Sequence, residues 1–478
     1  MAEKAKHKIK ISNIKGDKLV WIIALLLCLF SLVCIFSATS RQVTSDVNRL
    51  HIVRDQLVTV LIGVVVMVFC FACNFKWFKA LSKYGFWFSL VLLIMLVGHV
   101  RLGPIRALNI NDAYRIISFF GVQVHVYEIV KVAMIMYIAW ALDALKRDDF
   151  PVFNRLTESF EKLSFLQNRG WKEAIFICIP VFLVCGLVLV GGTSSALFIG
   201  GILILTLIIG GLPFRDILVM GAIAVLGLAS AYGLFCATRH NDKPLFSRMA
   251  TVESRLKGTE NDEILFEQST VGSEEYYRLK DKLLQIHGAK IAIKEGGILG
   301  KGPGQSTQKY LVPVISEDYM FSFIVEEYGL FGGIVLLILY LSLLARGSII
   351  VRNCDDGYGK MAVGGLCLLI TCQAFFHVLI NCDLGIHTGQ TLPMISNGTS
   401  SFLCFCIAFG IILSVSKSSE KKVDKETRNA QPLVDLSMPQ AQTDQIKAES
   451  TQLPDPEEWQ ENEEWPEDED NIDETEEV

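Results

Sequence analysis

The stretch LVWIIALLLCLFSLVCIF, Leu19–Phe36, runs eighteen residues without a charge. A helix needs about 20 apolar residues to cross a hydrocarbon core about 30 Å thick, and a spanning β-strand about half as many. The stretch therefore reads as a membrane helix. Lys4, Lys6, Lys8, Lys10, Lys15 and Lys18 precede it and the small residues of SATS follow it, the flanks a cleaved leader would have. The run is longer than a leader's apolar core and further spans follow, so it is taken as an uncleaved first helix.

Outward from this run the 478-residue chain keeps the same character. It is 51% hydrophobic and 20% charged, with a mean hydropathy of +0.41, which excludes an ordinary soluble domain. The reading is an all-α polytopic membrane protein with ten helices, at about residues 19–38, 56–73, 85–101, 127–144, 174–190, 195–211, 216–235, 319–345, 361–380 and 400–416. In this scheme the basic N-terminus, Lys76, Lys79 and Lys83, and Lys417, Lys421, Lys422, Lys425 and Arg428 fall on one side. The positive-inside rule makes that side cytoplasmic. The chain then divides into a basic cytoplasmic segment 1–18, helices one to seven over 19–235, an extracytoplasmic segment 236–318, helices eight to ten over 319–416, and a cytoplasmic tail 417–478. Both termini lie inside.

The net charge of −6 belongs largely to that tail, whose end DPEEWQENEEWPEDEDNIDETEEV has no Lys or Arg. Such a composition reads as disordered; Trp459 and Trp465 leave a docking role open. Most of the thirteen cysteines, among them Cys28, Cys70, Cys178, Cys185 and Cys367, sit inside apolar runs as small hydrophobes. No metal-ligand spacing appears, and Cys404-x-Cys406 lacks further ligands. No basic surface for nucleic acid is present.

Chemistry concentrates beyond residue 236. A connection of some 80 residues is far longer than usual and is either functional or disordered. Its second half argues for order: an amphipathic stretch from Tyr276 leads into Gly296, Gly297, Gly300, Gly302 and Gly304 around Lys301. Glycines let backbone amides approach a ligand, and a lysine among them can meet a phosphate. It is not a nucleotide P-loop, because Glu295 stands where the first Gly belongs and Gly302 follows Lys301. Next, SEDYMFSFIVEEYG, Ser316–Gly329, places Glu317 and Asp318 at the lip of a span and Glu326 and Glu327 inside it. Acids in hydrocarbon are costly and need a partner or a cavity.

On the fourth helix Glu128 and Lys131 share a face at a spacing of three. They read equally as an ion pair tying helices together and as a site for an anionic head group. Arg115 lies near the interface, where snorkelling also accounts for it. Between the last two helices GIHTGQTLPMISNGTSS mixes Gly, Pro and hydroxyls, and irregular backbone at that depth needs a protein-lined or wet cavity.

These residues resemble the SEDS family of bacterial shape, elongation, division and sporulation proteins, which includes FtsW, RodA and SpoVE. The likeness runs over about 13–416. Its strongest parts are IAIKEGGILGKGPGQSTQK followed by LVPVISEDYMFSFIVEEYG, and TGQTLPMISNGTSS, similar to the family's Thr-Gly-x-x-Leu-Pro-x-Ile-Ser-x-Gly-Gly-x-Ser. FSATS and NDAYRI are weaker matches. Departures occur where a Gln-Pro-Ser-Glu-x-x-x-Lys pattern keeps Glu128 and Lys131 but loses Pro-Ser, where Gly192 replaces the acid of Pro-Asp-x-Gly-Thr, and where Thr399 follows Gly398. The wording of the last motif is more like the division member FtsW, in its Bacteroidetes-like forms, than RodA.

The resemblance implies an inverting peptidoglycan glycosyltransferase, polymerising lipid II at the outer face of the bacterial cytoplasmic membrane beside a class B penicillin-binding protein and other divisome proteins. It makes Asp318 the catalytic general base. Lys301, Arg115, Glu128, Lys131, Gly300, Gly302, Gln308 and Ser396 become substrate-binding candidates, with Mg²⁺ or Mn²⁺ as a further aid to the leaving diphosphate. Glu326, Glu327 and Pro393 take structural roles. Two rival functions are a lipid II flippase and a catalytically silent division scaffold.

Overall fold

Each of the ten predicted runs forms a helix for most of its length in the computed structural model, which describes residues 16–39, 49–110, 113–159, 165–238, 258–312, 315–385 and 389–437. In chain order the helices of the first half are α1 (Lys18–Ala38), α2 (Arg49–Ala72), α3 (Phe75–Ser82), α4 (Gly85–Val97), α5 (Val126–Arg147), α6 (Pro151–Ser159), α7 (Arg169–Glu173), α8 (Ile179–Gly191), α9 (Thr193–Ile209) and α10 (Phe214–Thr238). Then come α11 (Gly258–Gln268), α12 (Glu274–Gly296), α13 (Ile315–Asp318), α14 (Met320–Asn353), α15 (Gly357–Asn381) and α16 (Thr399–Ser437). The chain divides into two units, Met1–Glu420 and Lys421–Val478; Trp459 and Trp465 lie outside the described residues.

Among the described residues seven helices are long and apolar enough to cross a membrane, and the bent pair α3–α4 makes an eighth when taken together. The remaining two predicted spans are α9, which is short, and α5, whose Glu128, Lys131 and Asp143 lower its hydropathy. The chain is a multi-pass membrane protein. Its centre is α15 and α16, whose faces are largely buried, while α10 buries few residues, Ile217 and Met220 in the main core and Ala231 and Phe235 against Leu189 of α8. Apolar side chains turned outward are what a bilayer solvates, so exposure here marks the lipid face.

One element departs from the all-α expectation. Residues 101–110 and 113–125 form a four-stranded antiparallel meander, β1 (Arg101–Leu102), β2 (Ile105–Ile110), β3 (Ala113–Phe119) and β4 (Val122–His125). Its turns use Gly103 (φ 54°) and Gly121 (φ 90°), left-handed positions that favour glycine. The helix predicted to reach residue 101 stops at Val97, since alternation of apolar and polar residues begins just beyond. The meander ends at His125, the residue that starts α5.

The predicted span over 319–345 also differs. Helix α14 reaches Asn353, but Gly329 inside it has φ 71° and ψ −179°, a break in the helix. The two acids Glu326 and Glu327 precede the break, on a segment that packs against α12 and the glycine-rich chain after it.

Candidate active site

Asp318 ends the single turn α13, and its position follows from how α14 starts. The first N–H groups of a helix have no intrahelical partner. Here α15 supplies them: the Phe321 N–H donates to His377 Nε2 (3.3 Å) and the Ser322 N–H to Asn381 Oδ1 (3.0 Å). Because Nε2 accepts, the imidazole proton sits on Nδ1, which donates to the Gln390 carbonyl (2.7 Å). Asn381 Nδ2 in turn donates to the Asp318 carbonyl (3.2 Å). From the other side Ser396 Oγ donates to the Glu317 carbonyl (2.7 Å) and the Asn397 N–H to the Ser316 carbonyl (2.9 Å). The backbone of 316–318 is thus held between two segments, while among the described residues no hydrogen bond reaches the Asp318 carboxyl oxygens.

Gly389 keeps the approach to that carboxyl open. A Cβ there would lie 3.1 Å and 3.4 Å from the Asp318 oxygens. Burial raises the Asp318 pKa to about 6, with the Arg115 guanidinium pulling the other way. Burial and the Asp318 charge raise Glu317 to about 7. Two adjacent carboxyls of unequal pKa can divide the ionised and protonated roles.

Arg115 lies on β3, and its Nε is buried without a hydrogen-bond partner among the described residues. A Cβ on Gly192, the residue before α9, would sit 3.7 Å from that nitrogen. Asn111 and Asp112 of the NDAYRI stretch lie outside the described residues, as does Thr388 of the last motif.

The Glu128–Lys131 pair belongs to a buried polar chain. Lys131 Nζ donates to Glu128 Oε1 (2.7 Å), Gln373 Oε1 (2.6 Å) and Gln390 Oε1 (3.4 Å), and lies 5.4 Å from the Phe198 ring centroid. Gln390 Nε2 reaches Ser195 Oγ (3.5 Å), and Gln373 Nε2 donates to the Thr391 carbonyl (3.0 Å). The chain continues through the Gln390 carbonyl to His377, and so to the start of α14. Gln373, His377 and Asn381 were not singled out in the sequence, yet they stand four apart on one face of an otherwise apolar run. That spacing was the available signal.

The glycine-rich segment sits at the break in α14. Where the helical ladder is interrupted, the Leu330 and Phe331 N–H groups donate to the Gly297 and Ile298 carbonyls (2.9 and 3.2 Å). The Lys301 and Gly302 N–H groups donate to the Glu326 and Glu327 carbonyls those residues would have used (both 2.9 Å). Two backbones this close leave no room for side chains: a Cβ on Gly296 or Gly300 would run into the Val325 or Glu327 carbonyl. Lys301 Nζ bonds Glu326 (2.7 Å), Thr307 (2.8 Å) and Glu295. The Glu326 carboxylate also accepts from the N–H groups of Thr307 and Gln308 and the hydroxyls of Ser306 and Thr307. Glu327 takes the Ser37 hydroxyl (2.5 Å) and lies 3.6 Å from Lys309 Nζ. Pro393 accepts the Tyr340 hydroxyl at its carbonyl (2.6 Å).

The structure therefore brings Asp318, Arg115 and Ser396 to one end of the bundle and joins Glu128 and Lys131 to them through Gln373, Gln390 and His377. Lys301, Gly300, Gly302 and Gln308 gather instead around Glu326 and Glu327.

Comparison with known proteins bears on the family and the fold. Stage V sporulation protein E of Bacillus subtilis is 27% identical over 419 residues, covering 84% of this chain and 97% of that protein. A probable peptidoglycan glycosyltransferase FtsW of Geobacter metallireducens is 26% identical over 402 residues, covering 84% and 94%. Among solved structures, a chain of a peptidoglycan synthase complex that coordinates polymerization and crosslinking shares the fold with a TM-score of 0.56 at 19% identity, over 84% of this chain and 98% of that one. Thermus thermophilus RodA does so with a TM-score of 0.51 at 18% identity, over 85% and 99%. The model of the cell cycle protein family of FtsW, RodA and SpoVE matches residues 17–421, and the chain belongs to that family.

Proposed function

We propose that this protein polymerises lipid II into peptidoglycan glycan strands at the outer face of the bacterial cytoplasmic membrane, in cell division, with a class B penicillin-binding protein and divisome proteins as partners. The observation that carries the proposal is the Asp318 carboxyl. The backbone that carries it is held on both sides, while the carboxyl is free of hydrogen bonds from described residues and its pKa is raised to about 6. An alcohol attacks an anomeric carbon well only when its proton is removed, and a base with a pKa just below ambient pH is ionised yet stronger than an ordinary Asp. In this scheme Asp318 takes the proton of the acceptor sugar's 4-hydroxyl, and the new bond forms as the lipid diphosphate leaves with inversion.

Arg115, with its unpaired buried Nε, is the cation assigned to the developing negative charge. Lys131 acts through Gln390 and His377, holding the α14 start at which Asp318 sits. Among the described residues no three His, Cys, Asp or Glu side chains gather to hold a metal. No step is therefore routed through Mg²⁺ or Mn²⁺; a cation carried in by the diphosphate is the remaining form of that expectation, and chelation tests it.

The test is polymerisation of labelled lipid II by purified protein with its transpeptidase partner, beside Asp318→Asn. Strands are expected from the first and a loss of at least about 10²-fold in the second. The rate of the wild type should fall on acidification with a midpoint near 6, because protonation removes the base. Equal rates in both proteins would remove Asp318 from the chemistry. No strands from either, with lipid II crossing liposome membranes, would favour the flippase; neither activity would leave the scaffold.

A further inference from the structure

A cavity lies at the other end of the bundle. Helix α15 spans the distance: Asn381, at its C-terminus, touches Asp318, and Asp356, its N-cap, lines a chamber of about 830 Å³. At 1.5 Å per residue the two ends of α15 are roughly 37 Å apart, a full membrane thickness.

The chamber is two-sided in its chemistry. Its wall is aromatic: Phe150 stacks on Phe176 (4.2 Å between centroids), with Phe153 and Trp140 edge-on to one or other ring (5.3 and 6.1 Å). Phe176 is presented by a π-helical turn, Ala174–Cys178, whose position is fixed by the Tyr137 hydroxyl donating to the Phe176 carbonyl (2.9 Å). Such turns recur at functional sites. The floor is a closed ionic lattice: Lys79 pairs with Asp143 (2.6 Å) and Asp356 (3.1 Å), and Arg147 with the same two acids. The rim is different. Lys76 and Lys83 both line the chamber and have no carboxylate partner among the described residues; Lys83 only overlies the Tyr84 ring (4.8 Å). Asp149 is the one rim acid without a salt bridge among those residues. Four cations and two carboxylates therefore line the chamber, with Asp143 beneath them paired to Lys79 and Arg147.

Depth decides what such a chamber can meet. Of the rim lysines, Lys76 lies on α3 and Lys83 is its C-cap; α3 bends 56° from α4 and turns Trp77 (76% exposed) and Leu81 (67%) outward beside its lysines. A short helix with that division of side chains lies in the membrane interface. We propose that the chamber binds an anionic diacyl phospholipid, its phosphate on Lys76 and Lys83 and the start of its acyl chain on Phe150 and Phe176. Charge complementarity favours an anionic over a zwitterionic head, and basic pockets between membrane helices take such heads. The aromatic wall demands an attached chain, which a soluble phosphate lacks.

The test is native mass spectrometry of the full-length, delipidated protein titrated with phosphatidylglycerol, phosphatidylcholine or glycerol 1-phosphate. One retained phosphatidylglycerol is expected, at least about tenfold tighter than phosphatidylcholine, with no retention of glycerol 1-phosphate. In the double variant Lys76→Glu/Lys83→Glu, both changes exposed and outside the ionic floor, that preference should vanish while the lipid-free melting temperature stays unchanged. Equal binding of the two lipids, equal binding of the soluble head, or an unaltered preference in a folded double variant would each overturn the proposal. None of these readouts depends on polymerisation.

Discussion

Arg115 is the residue on which the local chemistry turns, because its buried Nε has no hydrogen-bond partner among the described residues while Gly192 stands beside it with a bare Cα. Gly192 is extended (φ −170°, ψ 101°) and starts α9 without a side-chain cap. Any residue adopts that conformation, and a Cβ there meets nothing closer than 3.6 Å. An aspartate at a helix N-cap accepts an orphan N–H, and here it would also come within reach of the guanidinium. Gly192→Asp is expected to raise stability by about 1 kcal/mol, seen as a higher midpoint of thermal unfolding in detergent. An unchanged or lower midpoint would show that Arg115 is already satisfied. The unusual glycine was visible in the sequence as a departure from the family's acid. Its consequence was not, because the partner lies on a strand some 77 positions earlier, a pairing only the fold reveals.

The break in α14 is the corresponding feature at the scale of an element. Four backbone hydrogen bonds pass between the 297–302 chain and residues 326–331, replacing the rungs the helix gives up. Gly329 makes this exchange workable, since its φ of 71° suits glycine and a Cβ there would strike the Ile298 carbonyl. Gly329→Ala should therefore combine backbone strain of about 1–3 kcal/mol with a clash that pushes the two backbones apart. The expected result is a clear fall in melting temperature and faster proteolysis within 297–312; a variant as stable as the parent would mean that the break does not organise the loop. The amphipathic helix after Tyr276 was legible, as were the glycines. That the glycines serve close backbone packing was not legible, because a glycine cluster reads alike whether the neighbour is a phosphate or another backbone.

For the whole molecule the apolar runs located every predicted helix, because hydrophobic length is a strong and local signal. The polar chain from Glu128 through Lys131, Gln373, Gln390 and His377 was legible only in its first pair, since the rest comes from two other parts of the chain. The fold sets Asp318 and the lysine-rimmed chamber at opposite ends of α15. If lysines mark the cytoplasmic side, Asp318 faces outward, where an exported disaccharide can reach it. Two exposed positions report on this: Leu299 (83% exposed) on the glycine-rich chain and Trp77 (76%) on α3. In intact cells a membrane-impermeant maleimide should label Leu299→Cys above the background of the native cysteines, and should label Trp77→Cys only after the membrane is permeabilised. The reverse pattern would place Asp318 on the cytosolic side, away from any lipid-linked sugar already exported, and the polymerase mechanism would fail on topology alone.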